Sequence, residues 1–233
     1  ENSATDVSKY KTPTGFSNYE TRTKTIKVKD TLDVVMKVKV SRHGPIVNDL
    51  IEGLQKDKPV ALSWIYTQQP ILILDAVYSL SHAKDKTDFQ KGVQLIAAPG
   101  LNVMYGDAKG NVAWWATGKL YKHNAGVNPN FILDGASGKD DIKEYLDFSK
   151  NPSAVNPAWN YVYSANNQPE PIDGFLYPGY YLPEDRAKRI THLLDSKSNW
   201  DKESASKMIF DNTSSVAPSV VQNLTGALEI KTL

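Results

Sequence analysis

With 233 residues, 40% of them hydrophobic and 23% charged, the chain can bury one substantial core or two modest ones. Its formal net charge is only +1, and no basic block interleaves with aromatics, which argues against nucleic-acid binding; nor does any apolar run approach the ~20 residues of a membrane span. Zero cysteines exclude disulfides, thiolate zinc sites and a cysteine nucleophile within these residues, and suit an extracytoplasmic protein that avoids free thiols.

Residues 1–24 are polar, show no signal peptide, and read as an extended leading segment with one Pro-Thr-Gly turn. From Thr25 the pattern alternates. TIKVKD and VVMKVKVSRHGPIV predict two strands with a turn over Asp30–Asp33, and Pro59–Gln68 predicts a third. Apolar spacing of three and four predicts helices over Ile73–Ala83 and Thr87–Ala98, the second capped by Thr87 or Asp88. LNVMYGDAKGNVAWWATG predicts a hairpin, Asn102–Tyr105 with Val112–Thr117, turning at Lys109-Gly110. Residues 122–158, rich in Asn, Pro, Gly and Asp, read as a long connection. A short strand over Tyr161–Ser164 precedes an Asn-Asn turn, and helices are predicted over Pro183–Leu194, Lys202–Phe210 and Ala217–Glu229, with Pro183 in a first turn. This mixed order points to an α+β or layered architecture and not to a regular βαβ series.

Several short patterns have bland readings. Arg42-His43-Gly44 is the opening of a histidine-phosphatase pocket, but Pro45-Ile46 stands where a second arginine would be needed, so a strand ending in a Gly-Pro turn is the better account. Gly138-Lys139 ends no phosphate loop, because Leu133 and Asp140 replace the required glycine and hydroxyl. His43, His82, His123 and His192 are scattered without metal-ligand spacing, and no Gly-x-Ser-x-Gly elbow occurs.

Four stretches acquire meaning together: SRHGPIV from Ser41, NVMYGDAKGNVAWWATG from Asn102, the Ala165-Asn166-Asn167 turn, and LPEDRAKRI from Leu182. In this order they resemble the penicillin acylase family of N-terminal nucleophile amidohydrolases. The resemblance implies an α+β fold, a layered antiparallel sheet packed with helices and incomplete in this chain. It implies cleavage of an N-acyl bond in a small molecule, such as a β-lactam antibiotic or an acyl homoserine lactone. Asn166 would donate to the oxyanion and Arg186 would orient the site. Trp64 and Leu101 would wall the acyl pocket.

The family's nucleophile is the first residue of a mature chain. Glu1 cannot serve, and Ser17, followed by Tyr19-Glu20 where an apolar strand is expected, does not fit either. The chain is therefore expected to be a part of the catalytic β chain, inactive alone, with the α chain and the rest of the β chain as partners. No catalytic cofactor is implied, but some members hold a structural calcium. Its candidate ligands here are Asp6, the Pro129 carbonyl and Asp173, with Ser8 where a carboxylate is expected. A periplasmic or secreted location follows from the same resemblance. The rival readings are a non-catalytic domain of this fold and a phosphohydrolase using Arg42 and His43.

Overall fold

The structure is a computed structural model that describes residues 5–55, 57–172, 174 and 176–228. The chain opens with β1 (Lys9–Thr12), β2 (Gly15–Asn18), β3 (Glu20–Ile26), β4 (Val34–Ser41) and the short β5 (Gly44–Pro45). Helices α1 (Ile65–Gln68), α2 (Ile73–Ser81) and α3 (Lys86–Gln94) precede the hairpin of β6 (Asn102–Gly106) and β7 (Val112–Ala116). Then come β8 (Tyr121–His123), β9 (Ile142–Tyr145) and β10 (Ser153–Val155), followed by α4 (Asp185–Asp195), α5 (Lys202–Ile209) and α6 (Ala217–Ala227). Every ladder among the described residues is antiparallel, so the fold is α+β.

The described chain forms two compact units. The first holds residues up to Val77, Gln94–Gly100 and Gly118–Phe148. The leading segment is not featureless: β1 and β2 form a hairpin, with Tyr10 opposite Ser17. Buried Tyr10 packs against Tyr19 with tilted rings 4.9 Å apart, and its hydroxyl accepts the Arg42 N–H at 2.9 Å. Strand β3 begins earlier than the sequence pattern predicts and stops at Ile26, because alternating ETRTKTI can ladder against β4 from Glu20 onward. In β4, Met36, Val38 and Val40 share the partly covered face while Lys37 and Lys39 stand in solvent. The turn residue Asp30 has a φ of 61°, and Lys27 pairs with Asp33 across the loop.

The strand predicted over Pro59–Gln68 is a correction. Only Ala61 bridges, to Ile46, and the chain then winds into α1, where the Trp64 carbonyl takes the Thr67 N–H and hydroxyl. Residues 122–158 are likewise less irregular than expected. Strand β9 returns to pair with β8, Tyr121 opposite Tyr145, and β10 adds itself to β7, Ser153 opposite Trp115.

The second unit holds Tyr78–Val93, Leu101–Thr117 and the residues from Ser149 onward. The hairpin forms where predicted: Asn102 lies opposite Ala116 and Gly106 opposite Val112. Its tip is organised by Asp107, whose carboxylate accepts from Lys109 N, Asn111 N, Asn111 Nδ2 and the Tyr105 hydroxyl. Those donors, Asn111 foremost, hold the Asp107 carboxyl down at about 2. On the core face Trp115 is fully buried against Phe89 of α3, ring centroids 6.2 Å apart. The cap of α3 is neither Thr87 nor Asp88 but Asp85, which accepts the Asp88 N–H at 2.9 Å. Pro183 lies just before α4, whose N-cap is Glu184.

Tyr161–Ser164 forms no strand, a second correction. Strand β10 has already taken the free edge of β7, so this stretch has no ladder partner and instead lines a cavity. Helices α5 and α6 bury none of their described residues. Ile209 and Phe210 are 79% and 81% exposed, and Val220, Val221 and Leu224 also face solvent.

Candidate active site

The site is built on a turn and the helix that follows it. Asn166 has a φ of 59°, in the left-handed region that asparagine tolerates better than most residues. Buried Ala165 anchors the turn from one side. From the other, the Leu182 N–H donates to the Asn166 carbonyl at 2.8 Å, bringing the chain back just before α4 begins. Arg186, in the first turn of α4, then reaches the Asn-Asn turn. Its Nη2 donates to the Ala165 carbonyl at 2.7 Å and to Asn166 Oδ1 at 2.8 Å.

This contact decides the orientation of the carboxamide. A guanidinium carries donors only, so the amide oxygen must be the atom that faces it. Asn166 Nδ2 is thereby turned away from Arg186, and no described residue takes a hydrogen bond from it. An exposed N–H of fixed direction can stabilise negative charge developing on a carbonyl oxygen. Asn167 does something different: its Oδ1 receives the Ala165 N–H at 3.4 Å, a weak bond, and its side chain lines a cavity.

That cavity, about 350 Å³, lies within the second unit beside Asn167 and is walled by Trp114, Trp159, Tyr161 and Tyr163. Trp114 Nε1 donates to Asn102 Oδ1 at 2.8 Å, which holds the indole in place. Burial, aided by the hydrogen bond to Asp195, pushes the Tyr161 phenol up to about 12, so it is a neutral donor at any ordinary pH. Sequence reasoning did not single out these aromatics. The signal was available in β7, since alternation must place adjacent Trp114 and Trp115 on opposite faces.

The other predicted site residues are placed as follows. Leu101 precedes β6 in the second unit, its backbone held by Thr117, with its side chain exposed. Trp64 belongs to the first unit, where it packs on Tyr66 at 4.8 Å and remains half exposed. Among the calcium candidates, Asp173 lies outside the described residues. The Asp6 carboxylate accepts the Ser8 N–H and hydroxyl and pairs with Lys9 at 3.3 Å. The Ser8 hydroxyl and N–H, with Lys9, hold that carboxyl below its ordinary value. Calcium wants six or more oxygens, and Asp6, already paired with the Lys9 ammonium, offers a single carboxylate toward such a set. No cluster of three His, Cys, Asp or Glu suited to a metal occurs among the described residues.

Ser17 lies inside the β1–β2 hairpin, opposite Tyr10, with no free amino group. Arg42 and His43 do not form an anion pocket. Both converge on Asp141, Arg42 through bonds of 2.6 and 3.0 Å and His43 Nε2 at 3.0 Å. Burial opposes the charged form of Asp141, but these two partners outweigh it and hold the carboxyl below its usual range. The carboxylate stands where a phosphate would have to bind.

Comparison with known proteins bears on the family and the fold. The family model for penicillin amidase matches residues 1–232. An acyl-homoserine lactone acylase, QuiP, from Pseudomonas aeruginosa is 29% identical over 193 residues, 75% of this chain and 21% of that protein. A penicillin G acylase from Escherichia coli is 30% identical over 125 residues, 50% of this chain and 14% of the relative. The structure of a thermostable penicillin G acylase from Alcaligenes faecalis superposes with a TM-score of 0.72 at 20% identity, covering 88% of this chain and 36% of that one. This chain thus spans about a fifth of the length of the first of these relatives. A fold shared across 88% of the chain and a family model that runs through all but its last residue lead to one conclusion: the chain belongs to the penicillin amidase family.

Proposed function

We propose that this chain is a section of an amide hydrolase and supplies the oxyanion side of its active site. One observation carries the reading: Arg186 grips the oxygen end of the exposed Asn166 carboxamide and leaves its N–H end without an acceptor among the described residues. In the reaction, a hydroxyl attacks the carbonyl carbon of an N-acyl substrate, and the negatively charged tetrahedral oxygen that results accepts a hydrogen bond from Asn166 Nδ2–H. The amine leaves with a proton, and water then attacks the acyl-enzyme and regenerates the hydroxyl. In the family the hydroxyl belongs to an amino-terminal residue whose own α-amino group acts as base. That residue is assigned to another part of the same protein, together with the chain that would close the pocket.

The exposed apolar residues Ile209, Phe210, Val220, Val221 and Leu224 support such partners, because large apolar side chains left in solvent gain stability when a partner covers them. The substrate class is a small N-acyl compound, with acyl homoserine lactones and penicillins the candidates that the relatives' names suggest. Export to the periplasm or beyond belongs to the same proposal, supported by the lack of cysteine.

The test is Asn166→Ala in the complete processed enzyme, assayed on a chromogenic N-acyl anilide and an acyl homoserine lactone. Losing one oxyanion donor should lower kcat by ~100-fold or more, with folding and processing intact. A normal kcat would remove Asn166 from the mechanism. Absence of turnover by the unsubstituted enzyme would favour a non-catalytic domain.

A further inference from the structure

Helix α4 carries the residue that orients the oxyanion donor, yet its start is poorly secured by its own end. The N-cap is Glu184, with φ −73° and ψ 1°, and no side chain caps the first turn. Typical N-caps use Ser, Thr, Asp or Asn in extended geometry, and leaving the end without one costs ~1 kcal/mol of helix stability. An uncapped first turn frays, and Arg186 is in that turn.

The neighbouring residue compensates. Asp185 turns its carboxylate outward to the segment before α6. Oδ2 accepts the Ser214 hydroxyl at 2.7 Å, and Oδ1 accepts the Ser215 N–H at 2.6 Å and the Val216 N–H at 3.1 Å. The Ser214 hydroxyl in turn accepts the Ala217 N–H at 2.9 Å. The start of α6 is thus a ready anion site, filled by a carboxylate of the protein itself. Four residues along the same face of α4, Arg189 makes a second tie to that segment, a bidentate pair with Asp211 at 2.8 and 2.6 Å. Residue 186 lies about 100° around the helix from residue 185 and reaches the Asn-Asn turn instead.

We propose that Asp185 is a positioning residue for the oxyanion donor: by clasping the 214–216 turn it fixes the first turn of α4, and so the reach of Arg186 to the Asn166 carboxamide. The proposal rests on the amide-hydrolase reading above. Asp185 does not touch substrate and acts only through Arg186. The Arg189–Asp211 pair keeps the helix docked when Asp185 is changed, so the effect of Asp185 is confined to the first turn.

The experiment is a cycle of variants in the complete processed enzyme, with kcat and KM measured on a chromogenic N-acyl anilide and active sites counted from the burst of released amine. A misplacement of ~1 Å in a catalytic group can cost ~100-fold, so a loosened turn is expected to lower kcat in Asp185→Ala by about 5- to 20-fold with KM nearly unchanged. Asp185→Asn, which keeps one acceptor oxygen, should recover part of the loss. In an Arg186→Met background, Asp185→Ala should cause little further loss of kcat, while its effect on Tm should be the same in both backgrounds. If Asp185→Ala does not fold, Ser214→Ala removes one donor from the same clasp and replaces it in the cycle.

Unchanged kcat in the clasp variants, or the same fold-loss with and without Arg186, overturns the positioning role. When Arg186→Met and Asn166→Ala still lower kcat, that failure leaves the amide-hydrolase reading standing. Normal kcat in both Arg186→Met and Asn166→Ala removes the oxyanion role of Asn166 and the proposal together, whereas no turnover by the unsubstituted enzyme overturns the amide-hydrolase reading itself.

Discussion

Replacing Arg186 by methionine tests the orientation argument most directly. Methionine keeps an apolar stem of similar length and removes two bonds from one nitrogen, to the Ala165 carbonyl at 2.7 Å and to Asn166 Oδ1 at 2.8 Å. A hydrogen bond from a charged donor contributes ~1.5–3 kcal/mol, and because Arg186 is exposed, solvent screening puts the expected value near the low end. A barrier raised by ~1.5–2 kcal/mol slows turnover by about 10- to 30-fold at 25 °C. The ceiling is the loss on deleting the donor itself, ~100- to 1000-fold. Since both residues act through one carboxamide, Arg186→Met should add little in an Asn166→Ala background. Initial rates on a chromogenic N-acyl anilide, normalised to the burst, give kcat for each variant. A kcat in Arg186→Met within about twofold of the unsubstituted enzyme, or an equal further drop in the Asn166→Ala background, would refute the reasoning.

Two further outcomes test the fold, one in each unit. Gly44 has a φ of 142°, and a Cβ there would run into the backbone oxygen of Leu62; Gly44→Ala should therefore cost on the order of 3 kcal/mol and lower Tm by roughly 5 °C or more, and an unchanged Tm in a thermal melt would show that this turn is built differently. The Arg189 guanidinium lowers the Asp211 carboxyl from 3.8 to about 2, so its stabilisation is fully present above pH ~4 and is lost as pH falls toward ~2. Asp211→Asn should lower Tm by a constant amount near neutral pH and flatten the acid limb between those values; parallel loss of Tm in both proteins would mean that the pair does not form in solution.

Much of the local structure was legible in the residues. The β6–β7 hairpin follows from alternation and from an Asp-Ala-Lys-Gly-Asn tip whose backbone only such residues accept readily. Helices α2 to α6 follow from apolar spacing, most ends lying within a residue or two of those expected; α3 starts at Lys86 behind its unrecognised cap Asp85 and stops at Gln94, four residues short of Ala98, and the expected end of α6 at Glu229 lies outside the described residues. Strand partners were not legible, because a ladder needs a second strand that spacing cannot name. Hence Tyr161–Ser164 lost its strand once β10 occupied the edge of β7, and ETRTKTI gained one from β4. The Asn-Asn turn and the Asp-Arg pair were visible as motifs, but nothing in their spacing states that an arginine fixes the flip of an asparagine twenty residues earlier. Still less does it state that the neighbouring aspartate is held by a turn some thirty residues further on. Local pattern encodes what each segment can form, through backbone sterics and the burial of one face. Which side chains meet is decided only when packing brings distant segments together and every buried or directed polar group must find a partner.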